Sequence, residues 1–144
     1  MPETNKARHY KELKIWQKGV ALAKQVYRVT EAFPSAERYG LAAQLRRAAV
    51  SVPSNIAEGQ ARSGTREFLQ FLSHAGGSLA ELETQILLSR DLGYCGAADL
   101  SAISNEIAEI QKMLAAIRRR LSISSHSSLA TSHLKSETKD GNVA

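Results

Sequence analysis

The chain has 144 residues, 43% of them hydrophobic, and a net charge of +5, a length that fits one domain with a real core. No run approaches the ~20 apolar residues of a membrane span, the polar start from Met1 to Lys14 does not read as a signal peptide, and the lone Cys95 excludes an internal disulfide and fits a reducing cytoplasm. The charge is uneven: seven bases and one acid lie between Lys6 and Arg28, but eight acids and three bases between Glu58 and Glu109. Such asymmetry points to nucleic acid, an acidic partner or head-to-tail self-association.

Residues 1–9 read as a frayed terminus. A first helix is expected over residues 10–32, with Leu13, Trp16, Val20, Ala23 and Tyr27 at alternating three and four spacing. A second apolar row, Ile15, Leu22, Val26, Val29 and Phe33, lies roughly 120° away on a 3.6-residue turn. Two rows on one helix predict burial on two sides, by a wide core or by a neighbouring subunit. Lysines at 11, 14, 18 and 24 and Arg28 fill the remaining face.

Phe33-Pro34 ends that helix. The second, over residues 36–59, is expected to be capped by Ser35, to kink at Pro53 and to end at Gly59. Its stretch from Arg46 to Gly59 is the least generic in the chain. Gln44, Arg47, Ser51, Asn55 and Glu58 fall on one side of the helix, and Leu41, Leu45, Ala48, Val52 and Ile56 on the adjoining side. A polar ridge beside an apolar one needs water or matched partners.

A third helix, capped by Ser63 or Thr65 and ending near Leu92, carries the row Phe68, Leu72, Ala75, Leu79, Leu82 and Ile86. Its own polar ridge is Glu67, His74, Ser78, Glu81 and Gln85. Gly76-Gly77 is unfavourable inside a helix, so a close neighbour is expected there: Trp16, Tyr27 or the second helix. A fourth helix starts at Ala98 or Asp99 and keeps Leu100, Ile103, Ile107, Ile110, Leu114, Ile117 and Leu121 in register. Arg118, Arg119 and Arg120 suit its C-terminal end. Residues 122–144 read as a flexible, Ser-rich tail. The reading is all-α: an antiparallel up-down-up-down four-helix bundle over residues 10–121.

No catalytic constellation emerges. Glu-x-x-His pairs of di-metal bundles are absent, and His74 lies two turns, ~10 Å, from Glu67 and Glu81. Ser51, Ser54, Ser78 and His74 supply nucleophile and base types without a motif, and no phosphate-binding glycine loop is present. Neither metal nor cofactor is expected, and Cys95 reads as a small loop residue. Gln44, Arg47, Ser51, Asn55, Glu58, Ser78 and Glu81 are read instead as a structural polar network between the second and third helices, so that losing Glu58 should lower stability.

Several motifs in order resemble a known family: Leu13-Lys-Ile-Trp16, Phe33-Pro34, Gln44-Leu-Arg-Arg47, Ser51-Val-Pro-Ser-Asn-Ile-Ala-Glu-Gly59, Glu67-Phe-Leu-Gln-Phe-Leu72, Gly77-Ser-Leu-Ala-Glu-Leu-Glu-Thr-Gln85 and Leu92-Gly-Tyr94. The chain resembles the bacterial four-helix bundles encoded in 23S rRNA intervening sequences, over residues 10–121. The resemblance implies a cytoplasmic, non-enzymatic ring, a homo-pentamer. It also links the chain to the accessory variability proteins of diversity-generating retroelements, which bind nucleic acid and a reverse transcriptase. RNA or DNA binding is expected through Lys11, Lys14, Lys18, Lys24, Arg28, Arg118, Arg119 and Arg120. The alternative is a protein-interaction scaffold or accessory subunit without a direct nucleic-acid role.

Overall fold

The computed structural model describes residues 9–137, and the side chains of residues 9–123. Of the expected frayed segment, all but His9 lies outside the described residues, as does the end of the expected tail from 138 onward. A 3₁₀ turn, Tyr10–Glu12, leads into α1, Lys14–Glu31, followed by a 3₁₀ turn at Ser35–Glu37, α2 at Leu41–Ala61, α3 at Thr65–Asp91 and α4 at Ala97–Glu137. There is no strand among the described residues. Each helix packs on its neighbours in sequence, and α4 closes on α1. With connections this short, that is an antiparallel up-down-up-down bundle.

The core is the column the periodicity marked on α2, α3 and α4. Leu45, Val52, Ile56, Leu72, Leu79, Leu82, Ile86, Ile103, Ile107 and Ile110 are completely buried. Each such aliphatic side chain contributes about 1.5–3 kcal/mol of transfer free energy. On α1 the two rows are unequal. Ile15, Leu22 and Val26 are the buried ones, with Phe33 just beyond the helix. Of the other row only Ala23 is buried; Leu13, Trp16 and Val20 are half-buried and Tyr27 is exposed. Trp16 rests against the core and meets the Tyr10 ring edge-on at 5.4 Å.

Helix ends differ from the sequence reading in instructive ways. Ser35 does not cap α2; it opens the preceding 3₁₀ turn. The α2 terminus is held by Glu37, whose Oε2 accepts the Leu41 N–H at 2.9 Å while Oε1 accepts the Tyr94 hydroxyl at 3.3 Å. Burial, then that carboxylate, raise the Tyr94 phenol above its ordinary value. Neither Ser63 nor Thr65 caps α3; Gly64 holds that position without a side-chain bond. At the other end of α3, Gly93 takes a left-handed conformation, φ 81°. The Tyr94 N–H reaches the Ser89 carbonyl at 2.9 Å and the Gly93 N–H the Arg90 carbonyl at 3.0 Å. That is a Schellman closure. Asp99 reaches back to accept the Gly96 N–H and so closes the start of α4.

Helix α4 does not stop near Leu121. Its backbone stays helical to Glu137, where a flexible tail was expected. No Gly or Pro occurs between Ala97 and Glu137 to break it. Arg118, Arg119 and Arg120 are therefore interior to the helix rather than at its C-terminus. Among the described side chains the last buried one is Leu114, and Ile123 is already 64% exposed.

Glycines locate the close approaches. Gly19 of α1 lies on Pro53 of α2, where a Cβ would stand 3.3 Å from the proline Cβ. Helix α2 continues on both sides of Pro53 and past Gly59 to Ala61. Gly59 is not a helix terminator; a Cβ there would come within 2.7 Å of Phe71 Cβ and 2.9 Å of Phe68 Cδ2 on α3. Gly76 and Gly77, where a close neighbour was expected, have nothing within 4 Å of the same construction. Neither Trp16, Tyr27 nor α2 packs there. Accordingly, Gly59→Ala is expected to lower unfolding free energy by about 1–3 kcal/mol through overpacking, whereas Gly77→Ala should leave it unchanged or raise it by up to about 1 kcal/mol. Urea unfolding of the two variants beside the parent protein measures both.

Candidate functional site

The polar ridges of α2 and α3 do meet, but through fewer residues than expected. Ser51 Oγ and Ser78 Oγ are 2.8 Å apart, and Asn55 Nδ2 donates to the Ser51 carbonyl at 2.8 Å and to its hydroxyl at 2.9 Å. Ser78 Oγ also donates to the His74 carbonyl. Further along, Gln85 Nε2 donates to Glu81 Oε1 at 3.2 Å and to Gln44 Oε1 at 3.5 Å. Gln85 Oε1 is buried without a partner among the described residues. Residue 85 is thus a network member that the sequence reading placed on the ridge but not in the network.

Arg47 and Glu58 stand outside it. Glu58 is exposed and pairs with Arg62 one turn along the same helix, at 3.1 Å. Arg47 is exposed and has no hydrogen bond or ion pair among the described residues. Hydroxyls and amides carry the α2–α3 contact; charges do not.

The cations of α1 and of the 3₁₀ turn before it divide in two. Lys18 is engaged: its Nζ lies 2.6 Å from Glu109 Oε1 on α4. That hydrogen bond, opposed by desolvation and helped by the Glu109 and Glu106 charges, holds the Lys18 amine above its ordinary 10.5. Lys11, Lys14, Lys24 and Arg28 are exposed and lack a carboxylate partner among the described residues. The same holds for Arg118, Arg119 and Arg120 on α4.

A second group of cations, outside the expected binding residues, gathers between α1 and the start of α2. Arg46 donates through Nε to Thr30 Oγ1 at 2.8 Å and through Nη2 to the Tyr27 carbonyl at 3.4 Å, and its guanidinium lies 4.5 Å from the Tyr27 ring centroid. Thr30 in turn donates to the Val26 carbonyl at 2.7 Å. This pins the end of α1 to α2 and orients the Tyr27 ring. Beside it, Tyr27, Arg38, Tyr39, Arg47 and Val50 line an open groove of about 460 Å³. The only sequence signal was the Arg46-Arg47 pair; nothing in the spacing places Arg38 and Tyr39, in the preceding turn, next to it.

Burial, with Asp99 adding and Arg90 opposing, pushes the Cys95 thiol up, away from the thiolate. Among the described residues, no three His, Cys, Asp or Glu side chains gather as a metal-binding group. No described helix is long and apolar enough to cross a membrane.

A family model for 23S rRNA-intervening sequence proteins matches residues 11–116. The chain belongs to that family. Among solved structures it is similar to a protein of unknown function from Bacteroides thetaiotaomicron VPI-5482, of the S23 ribosomal protein family. The two are 23% identical with a TM-score of 0.66, over 72% of this chain and 97% of the other. That likeness concerns the fold. No curated protein matches the chain.

Two outcomes follow for this family member. Asn55→Ala should cost about 1 kcal/mol of stability, because it takes a donor from Ser51, while Glu58→Ala should cost less than about 0.5 kcal/mol, as an exposed pair one turn apart does; chemical denaturation ranks them. The Lys18–Glu109 pair contributes stability that is complete below the ordinary lysine value and lost as pH rises through the raised one. Glu109→Gln should therefore lower the melting temperature slightly at neutral pH, and the difference should vanish in strong alkali and shrink in high salt.

Proposed function

We propose that this family member is a non-enzymatic, self-associating four-helix bundle of the cytoplasm that binds nucleic acid through exposed basic residues. One observation carries the reading. Lys14, Lys24 and Arg28 of α1, with Lys11 of the 3₁₀ turn before it, present four exposed positive charges with no carboxylate partner among the described residues. Unpaired cations on one rigid helix suit a run of phosphates, each contact releasing condensed counterions. Arg118, Arg119 and Arg120 extend the basic character along α4. Lys18 contributes less, because Glu109 already holds it. Self-association rests on apolar surface left open by the single chain, where Leu87, Leu88 and Leu92 of α3 and its end are each about half exposed. The family resemblance supports a homo-pentamer as the assembly.

Those same leucines, on the acidic half of the chain, favour a second reading: a scaffold or accessory subunit, of the reverse-transcriptase-partner type, whose α3 face takes a protein. Titration of the purified protein with structured RNA and with duplex DNA at several salt concentrations separates the two. Nucleic-acid binding predicts a log affinity that falls linearly with log salt, and at least a tenfold loss on combining Lys14→Glu with Arg28→Glu. Affinity untouched by that double reversal would sink the α1 assignment. Absence of binding even at low salt would leave the scaffold.

A further inference from the structure

The groove between α1 and the start of α2 has a different chemistry from the lysine face. Tyr39 is 89% exposed, at the turn immediately before α2. Tyr27, across the groove, is 44% exposed and is held in place by the Arg46 guanidinium and its bonds to Thr30 and the Tyr27 carbonyl. Arg38, 5.8 Å from the Tyr39 ring centroid, and Arg47 are exposed and pair with no carboxylate among the described residues. Glu31 lies in the adjoining hollow with Arg38 and Arg46 and bonds to neither. Val50, 43% exposed, gives the floor an apolar patch.

A scattered exposed aromatic needs no explanation. Two tyrosines on one groove, alternating with three arginines, make a more specific set. A duplex keeps its bases stacked inside and offers such a surface only phosphates. A single strand offers phosphates to the guanidiniums and free π-faces to the rings.

We infer that this groove is a single-strand nucleic-acid site, in which the Tyr39 ring stacks on an unpaired base, Tyr27 supports a second, and Arg38 and Arg47 take the flanking phosphates. The inference rests on the nucleic-acid reading above and assigns it a strand preference and a place that the lysine face does not supply. Arg46 is a positioning residue: it is already spent on Thr30 and the Tyr27 backbone, and it acts by fixing the Tyr27 ring.

Fluorescence anisotropy with an unstructured oligouridine strand and with a hairpin duplex tests it. Tyr39→Ala should weaken single-strand binding by roughly tenfold, the usual scale for one stacked base, and shift duplex binding less than twofold. Tyr39→Phe should restore the single-strand affinity, because stacking needs the ring and not the hydroxyl. Arg47→Ala should lower the slope of log affinity against log salt by about one on the single strand. Thermal unfolding of the variants should match the parent, since both side chains are exposed. Single-strand affinity that is unchanged in Tyr39→Ala, yet lost on reversing Lys14 and Arg28, would overturn the groove while leaving the lysine-face reading intact. A Tyr39→Ala protein that keeps its affinity but changes its sedimentation would overturn it too, in favour of a contact between protein chains. Failure of both oligonucleotides to bind at low salt would overturn both readings together.

Discussion

Gly19 lies directly on Pro53, and this contact sets how near α1 comes to α2. A side chain at either position larger than those present would part the two helices. Their proximity is what lets Arg46, about two turns before Pro53 on α2, reach Thr30 and the carbonyl of Tyr27 at the end of α1. It also brings Val50 beside Tyr27 to floor the groove. On the far side of α2, Gly59 does the same for α3 by accepting Phe68 and Phe71 at short range. Helix α2 thus packs on two sides with a glycine at each crossing, Gly19 under the Pro53 ring and Gly59 under the rings of Phe68 and Phe71. The proline is tolerated because its ring, which would disturb a solvent-facing helix for no return, fills the space above a glycine.

With that geometry, the two seams of α2 acquire opposite characters. The seam with α3 is closed by hydroxyl and amide pairs: Ser51 with Ser78, Asn55 with Ser51, Gln44 with Gln85. Neutral hydrogen bonds set register without burying charge, so they avoid the desolvation cost that a buried ion pair would carry. The seam with α1 is left open at the surface and lined by arginines and tyrosines. One seam holds the bundle together, and the other has chemistry left over. Carboxylates are engaged where they close structure: Glu37 caps α2 and ties down Tyr94, Asp99 closes the start of α4, and Glu109 neutralises Lys18. Among the described residues, the cations without a carboxylate partner lie on α1 and the turn before it, in the α1–α2 groove, at Arg66 near the start of α3 and on α4.

Much of this was legible in residue order. Leu72, Leu79, Leu82 and Ile86 on α3, and Ile103, Ile107, Ile110 and Leu114 on α4, were found by spacing and are all buried. A period of 3.6 leaves such rows no other place to go. Equal-looking rows on α1 could not be ranked, because periodicity says that a face is apolar without saying which neighbour covers it. Helix length on α4 was underestimated, since polar composition was read as a stop where no glycine or proline supplied one. Arg47 and Glu58 share a helix side with Ser51 and Asn55, yet their long side chains leave the α2–α3 contact while the short ones remain in it. Side-chain reach is invisible in a spacing pattern.

By itself, the sequence determined the number of helices, the buried columns of three of them, the absence of a strand pattern and the family. All of these depend on local period and on breakers such as Phe33-Pro34 and Gly93. Only the tertiary structure decided which glycines are contacts and which are open, which lysine is neutralised, and that Arg38 and Tyr39 of a turn stand beside Arg47 and Val50 of a helix. Those outcomes depend on distances between residues far apart along the chain, set by how closely two helices can pack, and no reading of one helix at a time contains that distance.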